Sequence, residues 1–166
     1  MKIILTALVI VLIISQFVMP TDVYGGSMEP GFCHNEYLLV SRQAYNQKRV
    51  PEKGDVIVFR SSLEDEAGQD KVLIKRIIAV PGDTILIKEG NVYVNGNKID
   101  EPYLKDGTTN GEIGLTEIPE NGYFCMGDNR LRSLDSRDKS VGIVSGDDII
   151  GKVIFRFFPL GRFGKI

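Results

Sequence analysis

Two residues have the types and the setting needed for a nucleophile and its base. Ser27 lies in a Gly-Gly-Ser-Met-Glu-Pro turn at residues 25–30, where the glycines permit backbone angles that expose a hydroxyl group and aim amide hydrogens at one point. Lys75 lies in an apolar, β-branched run at residues 72–80, and an amine that loses its solvation has a lowered pKa and can act as a base. Together they predict a serine nucleophile that is activated by a lysine.

Each residue also has an ordinary structural interpretation. An isolated Gly-Gly-Ser segment is most often a surface turn, and a lysine at a strand edge usually extends its ammonium group to water. In a strand, however, Lys75 shares one face with Leu73 and Ile77, because side chains alternate. Lowering the pKa of a lysine from about 10.4 to between 7 and 8 requires the loss of roughly 3 to 5 kcal/mol of charge solvation, which burial can produce. The strand alone leaves both interpretations open.

Other catalytic arrangements fit the sequence less well. A catalytic triad would have to use His34, the only histidine, which lies seven residues from Ser27 in a polar stretch with no orienting partner nearby. An aspartic dyad of Asp135 and Asp138 lacks a second matching acid motif. We therefore rank both arrangements below the serine and lysine pair, and we expect His34 to be a surface residue.

Composition and charge exclude several classes of function. The 166 residues are 43% hydrophobic, which suits one domain with an additional N-terminal segment. The net charge of −2 arises from interspersed acids and bases, so there is no basic stripe to bind nucleic acid. Cys33 and Cys125 could pair or stay free, with free buried thiols favoured, and neither has the spacing of metal ligands. We expect no nucleic acid partner, no metal and no cofactor.

The N-terminus has the pattern of a membrane anchor. Residues 3–19 carry no charge, and as a helix they would span about 26 Å. A cleaved secretory signal is the rival interpretation, but its apolar core is usually shorter and ends at a small-x-small site, which residues 17–20 lack. We expect residues 1–20 to form an uncleaved single-pass anchor in the cell membrane. The N-terminus would be cytoplasmic, and residues 21–166 would form an extracytoplasmic catalytic β domain.

The rest of the chain predicts an all-β fold. Short apolar runs are bounded by turn signals, and Gly-Asp pairs recur at their edges. Asn95-Gly96, between alternating residues, predicts a two-residue hairpin. The acidic, aperiodic residues 62–70 and the Gly- and Thr-rich residues 105–112 predict exposed loops. The predicted strands lie within residues 36–40, 55–59, 72–80, 92–99, 122–126 and 153–158.

Residues 126–137 are a third segment with possible functional residues, after the Ser27 turn and the Lys75 run. They combine small polar and charged side chains. Such a composition usually indicates a solvated loop, but this segment follows an apolar run and could equally form a bend held by its own hydrogen bonds. Within it, Ser133 could orient a neutral lysine, and Asp135 could pair with Arg137.

In their order along the chain, these segments resemble the type I signal peptidases, the membrane-anchored Ser-Lys proteases that remove signal peptides from exported proteins. Residues 27–30 resemble the nucleophile box of that family, and residues 54–59 resemble its next strand box. Residues 75–83 resemble the lysine box, and residues 127–137 resemble the last box. One box would be weak evidence, but four in order are specific, and the resemblance extends from the anchor to the last strand.

The resemblance implies a role for each site residue. Ser27 would attack the scissile carbonyl and donate its backbone amide to the oxyanion, while Lys75 would act as the general base. Ser133 would hydrogen-bond the lysine amine, and Asp135 and Arg137 would form a supporting ion pair. The implied partners are the lipid bilayer and the signal peptides of preproteins, bound as an extended strand with small side chains at the first and third positions before the cut. The implied fold is a set of coiled antiparallel β-sheets with an apolar surface near the bilayer.

Two departures from the family pattern concern the nucleophile box. Many relatives have threonine after the box proline, where this chain has Gly31. Some have serine two residues before the nucleophile, where this chain has Gly25. The resemblance therefore leaves the second oxyanion donor unassigned.

Two alternative functions share parts of this pattern. A self-cleaving repressor-type protease has the same dyad, but such proteins are soluble and usually carry a DNA-binding module, and the apolar residues 3–19 argue against both features. A catalytically silent relative that assists the assembly of surface proteins such as pilins would be expected to lack the serine or the lysine, and both are present. The sequence therefore favours an active membrane-bound serine endopeptidase.

Overall fold

One long helix and two antiparallel β-sheets make up the described part of the chain. The computed structural model describes residues 2–65, 67–105 and 107–166. In chain order the elements are α1 (Lys2–Phe17), β1 (Val18–Asp22), β2 (Tyr37–Ser41), β3 (Val56–Glu64), β4 (Asp70–Ala79), β5 (Thr84–Lys88), β6 (Asn91–Val94), β7 (Asn97–Lys98), β8 (Ile113–Glu117), β9 (Gly122–Met126), β10 (Val144–Ser145), β11 (Ile149–Phe158) and β12 (Gly164–Lys165). Single turns of 3₁₀ helix occur at Gly146–Asp148 and Leu160–Arg162. Every strand pair in the described residues is antiparallel, which confirms the predicted all-β antiparallel fold.

The larger sheet frames the candidate site. Its strands follow the order β1-β2-β11-β3-β4-β9-β10, with β12 paired to β11. Register shifts interrupt the pairing of β11 with both β2 and β3, and such irregularities bend a strand and increase its twist. The sheet coils so far that β1, at one end of this order, and β4, near the other, line the same cleft.

The smaller sheet has the order β7-β6-β5-β8 and contains the predicted hairpin. The turn between β6 and β7 consists of Asn95 and Gly96, with φ angles of 52° and 75°. Two successive positive φ angles are what a type I′ turn requires, and this turn matches the twist of the flanking strands. The prediction of a two-residue hairpin is confirmed.

The prediction of a loop over residues 62–70 is partly wrong. β3 continues to Glu64 and β4 begins at Asp70, so the two strands form an exposed ribbon beyond the apolar core. Backbone pairing in such a ribbon needs no apolar side chains, which is why the acidic composition did not reveal it. Residues 66 and 106, which fall within the two predicted loops, lie outside the described residues.

Helix α1 is shorter than the predicted anchor. It ends at Phe17, because the chain leaves the helix at Val18 to pair with β2 as strand β1. The amide of Arg42, directly after β2, donates to the carbonyl of Phe17 at 2.9 Å and so joins the helix end to the sheet. Among the described residues, none of the helices combines the length and the apolar character needed to cross a membrane.

Buried apolar side chains fix the segment between β1 and β2, which carries Ser27. Met28 and Phe32, both from this segment, belong to a buried cluster with Leu38 and Val58. Burying a side chain of this size contributes roughly 1.5 to 3 kcal/mol. The turn that follows Ser27 is therefore part of the core.

Strand β4 carries Lys75 into the interior. Leu73 and Ile77, two residues to either side, pack in a cluster that includes Phe59 and Cys125. These neighbours share a face with Lys75, since side chains along a strand alternate. The lysine therefore extends from an apolar face.

Candidate active site

The structure brings the Ser27 hydroxyl and the Lys75 amine into contact. Lys75 Nζ lies 2.9 Å from Ser27 Oγ, although the two residues are 48 positions apart in the chain. The amine also donates to the carbonyl of Ile74 at 3.0 Å. A nucleophile and a base within hydrogen-bonding distance meet the geometric requirement for proton transfer.

Burial sets the charge state of the amine. Lys75 is 2% exposed, so its ammonium does not extend to water, as a lysine at a strand edge usually does. Burial lowers the pKa of Lys75 from 10.5 to about 8, against the opposing attraction of the nearby Asp135 carboxylate. A substantial fraction of the amine is therefore neutral slightly above neutral pH, and only the neutral form can accept a proton.

Gly127 allows the last box to approach the Ser27 turn. The amide of Asn129 donates to the carbonyl of Ser27 at 2.9 Å. A Cβ atom at position 127 would lie 2.4 Å from the same carbonyl oxygen and 2.3 Å from Ser133 Oγ. Real Cβ atoms do not come that close to other heavy atoms, so glycine at this position is a condition of the contact.

The backbone amide of Ser27 is available as a donor. Among the hydrogen bonds of the described residues, none has the Ser27 amide as its donor. Two residues earlier, the amide of Gly25 donates to Nδ1 of His34 at 3.2 Å, and Gly25 has a φ of 83° that suits glycine. His34 is exposed, as expected, and it contacts this turn and not the hydroxyl.

Asp135 and Arg137 form a buried ion pair beneath the turn. Arg137 Nε and Nη2 each donate to the Asp135 carboxylate at 2.8 Å. The same carboxylate accepts from the amide of Gly127 at 3.0 Å. Burial acts to raise the pKa of Asp135, but the Arg137 guanidinium outweighs it and holds that pKa below its ordinary value. Asp135 therefore stays charged and stabilises the bend that contacts Ser27.

Ser133 lies in this bend without a bond to the amine. Its Oγ is buried and has no hydrogen-bond partner among the described residues. The two bonds of Lys75 Nζ go to Ser27 and Ile74. The structure therefore brings together Ser27 and Lys75, and separately Asp135 and Arg137, but it contains no hydrogen bond between Ser133 and Lys75.

A second ion pair, between Arg76 and Asp128, was not assigned from the sequence. Arg76 donates from Nε and Nη2 to the two carboxylate oxygens of Asp128, at 2.8 and 2.7 Å. A Cβ atom at Gly31 would lie 2.7 Å from Asp128 Oδ2, so the glycine at this position leaves room for the carboxylate where it lies in this structure. The sequence contains one signal for this pair. Arg76 follows Lys75 in an apolar run, and a charged side chain in such a run needs a partner of opposite charge.

A cleft of about 250 Å³ leads to the Ser27 and Lys75 pair. Thr21, Asp22 and Tyr24 form the wall on the side of β1, residues 71–75 form the wall on the side of β4, and Val58 of β3 also lines the cleft. β4 pairs with β9 only from Arg76 onward. Within the described residues, β1 pairs with β2 alone. Both walls therefore have strand edges with unpaired backbone groups, which an extended peptide could meet.

The two cysteines are free. Cys125 is fully buried, and burial raises the pKa of its thiol above the ordinary range. Cys33 is half-buried. The described residues contain no group of histidine, cysteine and acidic side chains that could hold a metal ion.

Several known proteins with similar sequences or structures are signal peptidases. The family described as "Signal peptidase, peptidase S26" matches residues 1–158. Signal peptidase I U of Bacillus subtilis (strain 168) is 38% identical over 170 residues, which cover 98% of this chain and 87% of the relative. Signal peptidase IB of Staphylococcus aureus (strain COL) is 36% identical over 175 residues, which cover 95% and 87%. The crystal structure of a signal peptidase I from Enterococcus faecalis V583 matches with a TM-score of 0.52 and 29% identity, covering 63% of this chain and 97% of the solved chain.

Replacing the buried amine should stabilise the fold. In the unfolded chain Lys75 has its ordinary pKa of 10.5, whereas in the folded chain the value is about 8. Stability therefore rises with pH between these two values, and below pH 8 the full cost is present. We expect Lys75→Met to raise the free energy of unfolding at pH 7 by about 1 to 3 kcal/mol, with the gain shrinking toward pH 10.5.

Urea unfolding in detergent micelles, followed by circular dichroism from pH 7 to 10, measures this gain. Lys98→Met is the matched control, because Lys98 is exposed in β7 and should show no such pH-dependent gain. Equal stability of Lys75→Met and the wild type at every pH would contradict the account of the buried amine.

Proposed function

The chain belongs to the S26 family of signal peptidases and is a serine peptidase, and we propose that it cleaves signal peptides from exported preproteins with Ser27 as nucleophile and Lys75 as general base. The observation that carries the proposal is the 2.9 Å contact between Ser27 Oγ and a Lys75 amine that is 2% exposed. The hydroxyl requires a base to act as a nucleophile, and here the hydroxyl and the base lie in contact in a buried site.

The chemistry proceeds in two halves. Ser27 Oγ bonds to the scissile carbonyl carbon while its proton passes to the neutral Nζ of Lys75. The Ser27 amide, which donates no bond within the described residues, stabilises the oxyanion. The Lys75 ammonium then protonates the leaving amine as the C–N bond breaks, and a water molecule deprotonated by Lys75 hydrolyses the acyl-enzyme.

Asp135, Arg137 and Ser133 support this pair. The Asp135 and Arg137 ion pair holds the bend that contacts the Ser27 turn, through the bond from Gly127 to Asp135. Ser133 has an unpartnered buried hydroxyl in the same bend. The resemblance to the family implies that this hydroxyl orients the Lys75 amine for proton transfer.

The substrate binds as an extended strand in the cleft. The free edge of β4 at residues 71–75 and the free edge of β1 can each supply backbone hydrogen bonds to it. Alternate side chains of an extended peptide point to opposite sides, so those at the first and third positions before the cut share one side. We infer that this side faces the floor of the cleft, which we place at Val58. A cleft of about 250 Å³ favours small residues at these two positions.

Although α1 is shorter than the helices that usually cross a membrane, we infer that it anchors the chain in the cell membrane, with a cytoplasmic N-terminus and an extracytoplasmic catalytic domain. Its apolar side chains include Ile3, Leu8 and Leu12, which are 86%, 54% and 55% exposed and need an apolar environment. Its 16 residues would span about 24 Å, and a bilayer can thin locally around a short helix. The cleft begins within β1, the strand that directly follows the helix.

Removing either member of the pair should abolish cleavage. We expect Ser27→Ala and Lys75→Ala each to lower kcat by at least about 10³-fold, since the nucleophile and its base act as a unit. Cleavage of a preprotein by the full-length protein in detergent, with products mapped by mass spectrometry, measures the loss. Lys98→Ala, an exposed lysine outside the cleft, should retain wild-type activity. Full activity in both dyad variants would refute the assignment.

The cleft should discriminate between positions of the substrate. In a peptide cut after Ala-x-Ala, leucine at the first or the third position before the cut should lower kcat/KM by at least about 10-fold, because overfilling a packed site is costly. Leucine at the second position, which points away from the floor, should have little effect. Equal tolerance of leucine at all three positions would contradict the proposed binding mode.

The anchor assignment predicts how the protein partitions. We expect Leu8→Asp combined with Leu12→Asp to release the protein from membranes washed with alkaline carbonate, because each acid within an apolar span costs about 3 kcal/mol. Leu8→Ile combined with Leu12→Ile keeps the apolar surface and should remain in the membrane fraction. Retention of the aspartate variant would show that α1 is not the anchor.

A further inference from the structure

The segment that carries Ser27 is also held by a residue that takes no part in the catalytic mechanism. This segment, residues 23–36, joins β1 to β2. Two of its carbonyl oxygens, at Pro30 and Gly31, accept hydrogen bonds from Arg162 Nη2 at 3.0 and 2.9 Å. Arg162 lies in the tail after β11, more than a hundred residues further along the chain, and beyond residues 1–158, which match the family.

A buried carboxylate completes this contact. Glu36 is 2% exposed. Arg162 Nη1 lies 2.6 Å from its Oε1, and Arg156 Nε lies 2.9 Å from its Oε2. Arg156 also donates from Nη2 to the carbonyl of Gly31 at 2.6 Å. Two guanidinium groups therefore contact this segment, both at the carbonyl of Gly31 and at the carboxylate of Glu36, its last residue.

The planar fork of an arginine suits this task. One Arg162 side chain bonds Glu36 with one nitrogen and two successive carbonyls with the other. A lysine has three donors at a single point and cannot reproduce this geometry. Without Arg162, the Pro30 carbonyl loses its nitrogen donor, whereas the Gly31 carbonyl keeps Arg156. Among the described residues, Glu36 then keeps Arg156 as its one ionic partner.

The contact extends to Ser27 through the backbone. The amide of Phe32 donates to the carbonyl of Met28 at 2.8 Å, and the amide of Glu29 donates to the carbonyl of Gly26 at 3.3 Å. Residues 26–32 therefore form one hydrogen-bonded unit. Asn129 holds this unit on the side of the last box, through the Ser27 carbonyl, and Arg162 holds it on the side of the tail.

We propose that Arg162 is a positioning residue, which fixes the Ser27 turn so that the hydroxyl meets Lys75 at the distance needed for proton transfer. The proposal rests on the proposed function, because it assumes that Ser27 is the nucleophile. A misplacement of about 1 Å can lower a rate by about 100-fold. The tail is thus a structural part of the active site, although it does not contact the reacting atoms.

Kinetics of the full-length protein in detergent test this role. We expect Arg162→Ala to lower kcat for an Ala-x-Ala peptide by about 10- to 100-fold, with KM changed less than about twofold, because the substrate cleft is left intact. Arg162→Lys, which keeps the charge but not the fork, should recover only part of this loss. Lys165→Ala removes a charge from the exposed end of the same tail and should behave as the wild type.

Chemical rescue separates positioning from general destabilisation. Guanidinium ions at tens of millimolar should restore part of the kcat of Arg162→Ala and leave Lys165→Ala unchanged, whereas a loss caused by unfolding would become worse in guanidinium. A wild-type kcat in Arg162→Ala, or a loss that guanidinium deepens in step with a lower melting temperature, would overturn the proposal.

Ser27→Ala, assayed in parallel, tells the two proposals apart. If Ser27→Ala still cleaves the peptide, the proposed function itself is wrong, and with it the premise for Arg162. If Ser27→Ala is inactive and Arg162→Ala is fully active, only the role of Arg162 is refuted.

Discussion

The Lys75 amine, buried beside the Ser27 hydroxyl, imposes a cost on the fold that the surrounding elements must offset. A pKa lowered from 10.5 to about 8 corresponds to a loss on the order of 3 kcal/mol of charge stabilisation at neutral pH. That loss is also what makes the amine a base, since a solvated lysine would be protonated at neutral pH. The burial that makes Lys75 a base therefore also lowers the stability of the fold. The apolar packing of β3, β4 and β9 offsets this cost.

The two acids near Lys75 are each held in an ion pair with an arginine. Asp128 and Asp135 both act to raise the pKa of Lys75. Each is bound by an arginine in bidentate fashion, Arg76 for Asp128 and Arg137 for Asp135. The positive charge of Arg137 opposes the attraction of the carboxylates for the lysine proton. The Asp135 carboxylate also accepts a hydrogen bond from the backbone amide of Gly127.

Local features of the sequence predicted the local features of the structure. Alternation and turn residues identified most strands and the Asn95-Gly96 hairpin. The glycine turn and the apolar run pointed to Ser27 and Lys75, and the order of four boxes added the resemblance to the family. Two features had no local signal: the exposed β3 and β4 ribbon, which backbone pairing alone maintains, and the contact of Arg162 with Glu36, which are 126 residues apart. An isolated arginine in a tail resembles any solvated residue. Only the coiling of the sheet shows that the tail passes behind the nucleophile.

The central claim is that a neutral Lys75 activates Ser27, and the pH dependence of kcat/KM for peptide cleavage tests it most directly. In the free enzyme this profile reports the ionisation of the base. The account predicts a single ionisation, with kcat/KM rising tenfold per pH unit below a midpoint near pH 8 and level above it. A midpoint near 10.5, the ordinary value for lysine, or a rate independent of pH from 6 to 10, would contradict it.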